Sequence, residues 1–346
     1  MIGYRAILLA AVAIVLVGGI VALLRYMTTV PGESHRGPLP ALSTGDTLIA
    51  ERLGAHIAAI ASRPHNIAHY AELEKAARYI EDQLRALGYN PFAHVFSADQ
   101  RQVRNIEVTI EPIDPARSRG TVVVGAHYDS AGNAPGANDN GSGTAAVLEL
   151  ARLLGDLRGR IDARIRLALF VNEEPPYFQT PQMGSWQYAK LLSERREPII
   201  GMISLETIGW FSDQPGTQRY PPPFGLMYPT EGNFIAFVGM MGSREFLHAV
   251  IASFRRHAAF PTVGGVAPGF IPGIAWSDHW SFEHFGFPAL MITDTALYRY
   301  PHYHMPTDTP DKVDTAKLAR ITRGLEKVLR EMAGPDWPTA AVGPRK

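Results

Sequence analysis

The chain has 346 residues, of which 46% are hydrophobic and 19% are charged, so it can bury a substantial core and is not a disordered protein. Its 33 Lys and Arg residues balance 33 Asp and Glu residues, which leaves no basic excess for binding nucleic acid. The absence of cysteine excludes disulfides, zinc fingers and a cysteine nucleophile, so any metal must be held by His, Asp and Glu.

The first predicted element is an uncharged apolar helix over residues 6–24, bracketed by Arg5 and Arg25. At about 1.5 Å per residue it extends about 28 Å, close to the ~30 Å hydrocarbon core of a bilayer. A cleaved secretory signal is the alternative, but the apolar region of such signals usually has only about 7–15 residues. We therefore expect an uncleaved membrane anchor over residues 1–27. The rest of the chain is expected outside the cytoplasm, periplasmic or extracellular, and secreted if the segment is cleaved.

The remainder predicts one large domain. Residues 28–43 are rich in Pro, Gly and Ser and are predicted to be a linker, residues 44–335 the domain and residues 336–346 a tail. Helical periodicity covers residues 48–60, 72–87, 142–154, 184–193, 245–257 and 315–332. Strands are predicted at residues 105–110, 121–125, 165–171, 199–205, 234–238 and 289–293.

This alternation predicts an α/β protein, a three-layer α/β/α fold with a mostly parallel mixed sheet, preceded by one transmembrane helix. Residues 214–230 and 259–274 are predicted to be loop insertions. Loops of that length in a compact domain often cover an active site.

Side chains of metal-ligand type follow several predicted strands, where the ends of parallel strands bring functional groups together. They are His127, Asp129, Asp139, Glu173, Glu174, Glu206 and His304. Each is weak evidence alone, because such residues are commonly solvated or cap helices. Together, two imidazoles and several carboxylates without thiolates suit Zn²⁺ in a hydrolytic site. Asp139 lies in a Gly-rich loop, where its carboxylate can approach two close metals.

Seven segments carry a resemblance to the zinc aminopeptidase and glutaminyl cyclase-like metallopeptidases, which are co-catalytic dizinc enzymes on an α/β/α fold. The segments are GAHYDS, GANDNGSGTAAVLELAR, FVNEE, MGSWQYA, ISLETIG, SDHWSFEHFGFPAL and YHMPTDTPDKVD. The resemblance extends from about residue 68 to residue 313 and implies two Zn²⁺ per chain. It implies that His127 and Glu206 bind the first metal, Glu174 and His304 bind the second, and Asp139 bridges them.

The same resemblance implies the catalytic groups. Glu173 is expected to be the general base, and Asp129 is expected to accept the second N–H of His127, which fixes the tautomer of that ligand. Asp278 is expected to support the site. Many relatives have Asp at the position of Glu206, so the longer side chain here must place its backbone further from the metal.

The implied function is a zinc-dependent exopeptidase, an aminopeptidase that cleaves N-terminal residues from peptides. A metal-bound hydroxide attacks, because the metals lower the pKa of water from about 15.7 toward ~7. The expected partners are a peptide substrate and the membrane, without nucleic acid. Four aromatic residues, Trp186, Tyr188, Trp210 and Phe211, are candidates for a side-chain pocket, although ordinary core packing is the favoured interpretation for any one of them.

Three other functions fit the sequence less well. A glutaminyl cyclase-like acyltransferase would use related residues, but its relatives usually lack the Asn-Gly-Ser-Gly that follows Asp139 here. A non-catalytic binding domain would normally have lost a ligand or the base. A serine hydrolase needs a GxSxG nucleophile elbow, and Gly141-Ser142-Gly143 lacks that framing.

Overall fold

The computed structural model describes residues 2–343, with side chains from residue 7 onward. The side chain of Arg5 and the last three residues of the predicted tail lie outside this described part. Within it the helices are α1 (Ile2–Thr28), α2 (Thr44–Ile60), α3 (Tyr70–Ala86), α4 (Gly141–Leu153), α5 (Gly184–Glu194), α6 (Arg244–His257), α7 (His279–His284) and α8 (Thr315–Met332). The strands are β1 (Phe92–Ala98), β2 (Arg101–Ile110), β3 (Thr121–His127), β4 (Arg164–Phe170), β5 (Ile199–Glu206), β6 (Ile235–Met240), β7 (Thr262–Ala267) and β8 (Ala289–Thr293).

The eight strands form one sheet in the order β1-β2-β4-β3-β5-β8-β6-β7. Its centre, β4-β3-β5-β8, is entirely parallel, and β6 and β7 also run parallel to each other. The pairs β1–β2, β2–β4 and β6–β8 are antiparallel. The mixed sheet confirms the predicted α/β class.

Helices cover both faces of this sheet, because the side chains of each central strand alternate between two cores. Val122 and Val124 of β3 join the larger core, to which α2, α3, α4, α6 and α8 contribute. Val123 between them joins the second core, with Tyr188 of α5 and Phe282 of α7. Every residue of β3 is buried, as expected of a central parallel strand.

Three elements were not predicted. Strand β1 is an edge strand with mostly exposed residues, so its apolar pattern is weak. Helix α7 has only six residues. Strand β7 lies inside residues 259–274, where the predicted loop is wrong. Gly264 and Gly265 made the sequence look like a loop. A Cβ on Gly264 would lie 2.7 Å from Ile251 Cδ1, so close packing in the strand requires glycine there.

The N-terminal helix is long and apolar enough to cross a membrane. Its candidate span, Ile7–Thr28, has a mean hydropathy of 3.1. Residues 7–23 are exposed along their whole length. Residues 29–43, which follow it, contain no helix or strand before α2 begins.

Candidate metal centre

The seven sequence-predicted residues come together at the carboxyl edge of the central strands. His127 is the last residue of β3 and Glu206 the last of β5. Glu173 and Glu174 follow β4, and Asp139 lies two residues before α4. His304 belongs to the loop that leads to α8 and reaches the same edge. This is the place where a parallel α/β sheet gathers functional groups.

Two groups of possible metal ligands share Asp139. In the first, His127 Nε2 lies 3.3 Å from Asp139 Oδ1 and 3.3 Å from Glu206 Oε2. In the second, His304 Nε2 lies 3.1 Å from Asp139 Oδ2 and 3.2 Å from Glu174 Oε2. Asp139 therefore offers one carboxylate oxygen to each group. In both groups the ligand atoms lie within 4.8 Å of one another, as the coordination shell of one ion requires.

The polar atoms of this cluster are arranged to bind a divalent cation and not to form hydrogen bonds with one another. His127 Nε2, both carboxylate oxygens of Asp139 and Glu174 Oε1 are buried without a hydrogen-bond partner among the described residues. Buried polar atoms nearly always have such a partner. Nitrogen and oxygen atoms left free in this way, with no thiolate, are the donor set of a Zn²⁺ site. The residues present therefore fit the metal cofactor that the family implies.

The raised pKa values of this cluster indicate an excess of buried negative charge. Burial, reinforced by Asp139, raises the pKa of Glu174 to about 8. Burial also raises the pKa of Glu206 and takes that of Glu173 well above its ordinary value. Although burial acts to lower it, the carboxylates of Asp139 and Glu174 raise the pKa of His304 to about 10. Without a cation the site holds protons, and a divalent cation would take their place.

Three residues at the site have backbone conformations that side-chain-bearing residues rarely adopt. Asn172, immediately before Glu173, has φ +60°, and Thr207, immediately after Glu206, has φ +44°. His304 itself has φ +59°. Left-handed conformations of this kind cost about 1–3 kcal/mol each and gather at functional sites, where the surroundings enforce them.

Asp129 holds the segment of the two adjacent glutamates. Its carboxylate accepts the backbone N–H groups of Glu173 at 3.1 Å and of Glu174 at 3.3 Å. His127 Nδ1 lies 3.1 Å from the backbone oxygen of Asp129 and 3.5 Å from its Oδ1. An N–H at Nδ1 of His127 could donate to Asp129 at these distances, which would leave Nε2 facing Asp139 and Glu206.

Sequence reasoning gave no role to Ser277 and Asp308, two further residues that support the candidate ligands. Ser277 Oγ donates to Glu206 Oε2 at 2.8 Å. Asp308 accepts the backbone N–H groups of Asn138 at 2.9 Å and of Asp139 at 3.1 Å. Both residues lie within segments that carry the family resemblance, SDHWSFEHFGFPAL for Ser277 and YHMPTDTPDKVD for Asp308. Their place in these segments was the only sequence signal for them. They hold the longer Glu206 side chain and the Asp139 loop in place.

Asp278 is fully buried, and neither of its carboxylate oxygens has a hydrogen bond within residues 2–343. Burial raises its pKa to about 7. His127 and Glu206 are among the groups that act on it electrostatically, so it lies close to the ligands without belonging to either ligand group.

An open cavity adjoins the candidate ligands, with Glu206 and Tyr303 in its wall. Most of the remaining wall comes from the two regions predicted to cover the site. The aromatic lining residues are Tyr220, Phe224, Tyr228, Phe237, Trp276, Tyr298 and Tyr303. None of the four aromatic candidates from the sequence lines it. Tyr188, for example, is fully buried and packs against Phe170 and Phe282, as the favoured interpretation of core packing predicts.

Known proteins resemble this chain in sequence. YfbL of Escherichia coli (strain K12) is 35% identical over 275 residues, which cover 77% of this chain and 82% of that protein. Leucine aminopeptidase 1 of Trichophyton equinum is 25% identical over 274 residues, which cover 75% of this chain and 68% of that protein.

Solved structures share the fold. An aminopeptidase from Aneurinibacillus sp. strain AM-1 aligns with a TM-score of 0.63 and 19% identity, covering 84% of this chain and 96% of its own. A glutaminyl cyclase from Fimbriiglobus ruber aligns with a TM-score of 0.59 and 16% identity, covering 87% of this chain and 99% of its own. Aminopeptidases and glutaminyl cyclases thus both occur on this fold, which confirms the resemblance expected from the sequence.

The family model described as peptidase family M28 matches residues 105–329, which run from the middle of β2 into α8 and include every candidate ligand. This match covers more than half of the chain. The chain belongs to peptidase family M28 and is a peptide hydrolase.

Proposed function

We propose that this chain is a zinc-dependent aminopeptidase that removes N-terminal residues from peptides. The observation that carries the proposal is the placement of Asp139, whose two carboxylate oxygens lie 3.3 Å from His127 Nε2 and 3.1 Å from His304 Nε2. A carboxylate in this position can serve two metal ions a few ångströms apart, the arrangement of co-catalytic hydrolases.

Five side chains would hold two Zn²⁺ ions. His127, Asp139 and Glu206 would hold the first, and Asp139, Glu174 and His304 the second. When bound, the ions would supply Lewis acidity, lowering the pKa of water and polarising the scissile carbonyl.

Glu173 is the general base in this proposal. Its carboxylate is buried, with Oε2 3.9 Å from His127 Nε2, and burial raises its pKa well above the ordinary value. A carboxylate with a raised pKa can take a proton from the attacking water and deliver it to the leaving amine nitrogen. Such a role contributes roughly 10²–10⁴-fold to the rate.

Tyr303 is placed to act on the substrate. Its ring stacks on His304 with the centroids 3.8 Å apart, and it lines the cavity together with Glu206. Burial and the carboxylate of Asp139 raise its pKa well above the ordinary value, so its phenol remains protonated. It can therefore donate a hydrogen bond to a carbonyl oxygen in the cavity.

Selectivity for the amino terminus is attributed to the cavity. Its walls are largely apolar and suit an apolar side chain, while the carboxylate of Glu206 in its wall suits a free α-ammonium group. This combination, together with the relatives that are named aminopeptidases, favours the aminopeptidase over the glutaminyl cyclase-like alternative.

The chain is further proposed to be anchored by residues 1–27, with the peptidase domain, residues 44–335, outside the cytoplasm. The support is the apolar span of α1 and the exposure of residues 7–23 within it. Alkaline phosphatase fused after Leu48 should be active in cells, and the intact chain should stay with the membranes after carbonate washing. An inactive fusion rejects export, and a shortened soluble chain indicates a cleaved signal.

The activity is tested with aminoacyl chromogenic amides, with and without N-acetylation, using metal-depleted and zinc-restored protein. The free amides should be hydrolysed only by the zinc-restored protein. Acetylation should lower kcat/KM by about 100-fold, which corresponds to ~2.7 kcal/mol of transition-state binding. Comparable hydrolysis of acetylated amides contradicts the aminopeptidase. Cyclisation of an N-terminal glutaminyl peptide in place of hydrolysis would establish the alternative.

A further inference from the structure

The last turn of α1 is packed onto the peptidase domain. Met27 is buried, and with Phe224 and Ala267 it forms a small apolar core against which Leu24 and Ile271 also pack. The contact is so close that a Cβ on Gly265 of β7 would lie 2.5 Å from the backbone oxygen of Met27. The helix therefore leaves the domain in a fixed direction.

Polar contacts hold the chain on both sides of this turn. Arg244 Nε donates to the backbone oxygen of Tyr26 at 3.1 Å, and its guanidinium lies 4.3 Å from the centre of the Tyr26 ring. Further along, Arg255 Nη1 donates to the backbone oxygens of Pro31 and Gly32. The segment between the helix and the domain is thus attached to the domain surface, so the span fixes the orientation of the domain on a membrane.

Two loops beside this turn expose large apolar side chains. Residues 220–230 and 268–276 contain no charged residue. Leu226 in the first loop is 91% exposed and Phe270 in the second is 86% exposed. Exposed apolar residues that gather at one place on a soluble surface commonly mark an interaction site.

These side chains lie at the level where the apolar span ends. Leu226 is two residues from Phe224, and Phe270 is next to Ile271, and both neighbours belong to the small core around Met27. Since consecutive Cα atoms are about 3.8 Å apart, each exposed side chain starts within about 8 Å of a residue in that core. The exposed Arg25 and Tyr26 are of the types that mark the water interface of a membrane helix.

We propose that the loops carrying Leu226 and Phe270 insert into the bilayer surface beside α1, so that the peptidase domain lies on the membrane. This inference rests on the membrane anchoring proposed above. A lipid surface is the occupant that the geometry favours, because the exposed apolar side chains continue the apolar surface of the span itself. The inserted loops would form a second contact with the bilayer.

The catalytic cavity would then face the membrane surface. Tyr220, Phe224 and Ile274, which pack around the last turn of α1, also line the cavity. The substrates best placed to enter would be peptides whose N-terminus lies at the bilayer surface.

The absence of native cysteine allows a direct test with the full chain reconstituted in vesicles of phosphatidylcholine and phosphatidylglycerol. Single cysteines replace Leu226, Phe270, Ile113 and Val15 in separate variants, and each carries the same environment-sensitive fluorophore. Ile113 is the control, because it is 73% exposed and lies in the β2–β3 connection. Val15 reports whether the span is inserted. The readout is quenching by nitroxide-labelled lipids and does not depend on catalysis.

Quenching at positions 226 and 270 should exceed that at position 113 by at least about threefold, because insertion brings the label about 5–10 Å into the headgroup region. Quenching at position 15 alone would overturn this inference while leaving the anchor in place. A blue-shifted but unquenched label at positions 226 and 270 would show a protein partner and would also overturn it. No quenching at position 15 would reject the anchor itself, independently of the peptidase activity.

Discussion

The substitution Asp308→Asn tests whether the backbone around Asp139 is held for metal binding. Asp308 Oδ1 accepts from Asn138 N at 2.9 Å and from the Tyr300 hydroxyl at 2.7 Å, whereas Oδ2 accepts only the Asp139 N–H, at 3.1 Å. The amide of Asn retains the two bonds of Oδ1 if its oxygen takes that place. Its NH₂ group then faces the Asp139 N–H, so the change falls on the residue proposed to bridge the metals.

The expected magnitude follows from that single lost bond. A hydrogen bond to a charged acceptor contributes about 1.5–3 kcal/mol, and the buried N–H is left facing another donor. If the lost bond displaces Asp139 from its position, zinc affinity should fall by about 10–100-fold. This is the range found when the hydrogen-bond partners of metal ligands are removed. Both ions should be affected, because Asp139 is proposed to bind both.

The assay is a competition titration of zinc against a chromophoric chelator, with thermal unfolding recorded in parallel. Asp311→Asn is the matched control, since that carboxylate lies at the surface and, among the described residues, bonds to Thr309 and Lys312 alone. If the zinc affinity of Asp308→Asn stays within about twofold of the wild-type value, the expected loss of about 10–100-fold is absent and the reasoning is refuted.

The remaining predictions concern proton transfer, protonation and the substrate carbonyl. Glu173→Gln should keep two zinc ions but lose about 10²–10⁴-fold in kcat, whereas Glu174→Gln should weaken zinc binding; near-normal turnover in Glu173→Gln removes the base assignment. In the folded metal-free protein the pKa of Glu174 is about 8, compared with its ordinary value of 4.5, and that of His304 is about 10, compared with 6.5. These two groups therefore hold more protons in the folded protein than in the unfolded chain. The stability of the metal-free protein should therefore fall as pH rises from about 6 to 9, while zinc should stabilise it increasingly over that range; differential scanning fluorimetry that shows no such trend would contradict the cluster. Tyr303→Phe should lower kcat by about tenfold or more without changing zinc content, and an unchanged kcat would exclude the proposed hydrogen bond to the carbonyl.

The sequence was most informative about regular elements and ligand types. The predicted strand at residues 289–293 and the predicted helix at residues 315–332 have the same bounds as β8 and α8. Apolar periodicity succeeds there because β8 is buried along its whole length and α8 on one face. Each strand-end motif also joined the same cluster, because parallel strands place their carboxyl ends together.

The failures have physical reasons. The glycines of β7 indicate a loop by propensity, but close packing against Ile251 and the end of α1 requires them. Asp308 received no role, since its effect depends on a contact with Asp139 across 169 positions of sequence.

The central claim is that two zinc ions, held by His127, Asp139, Glu174, Glu206 and His304, support aminopeptidase activity. It is tested most directly by adding zinc stepwise to metal-depleted protein while hydrolysis of an unblocked leucyl amide is followed. The account predicts negligible hydrolysis without zinc, rising to a plateau at two zinc ions per chain, as two co-catalytic ions require. Full activity in protein shown by elemental analysis to contain no metal would contradict it.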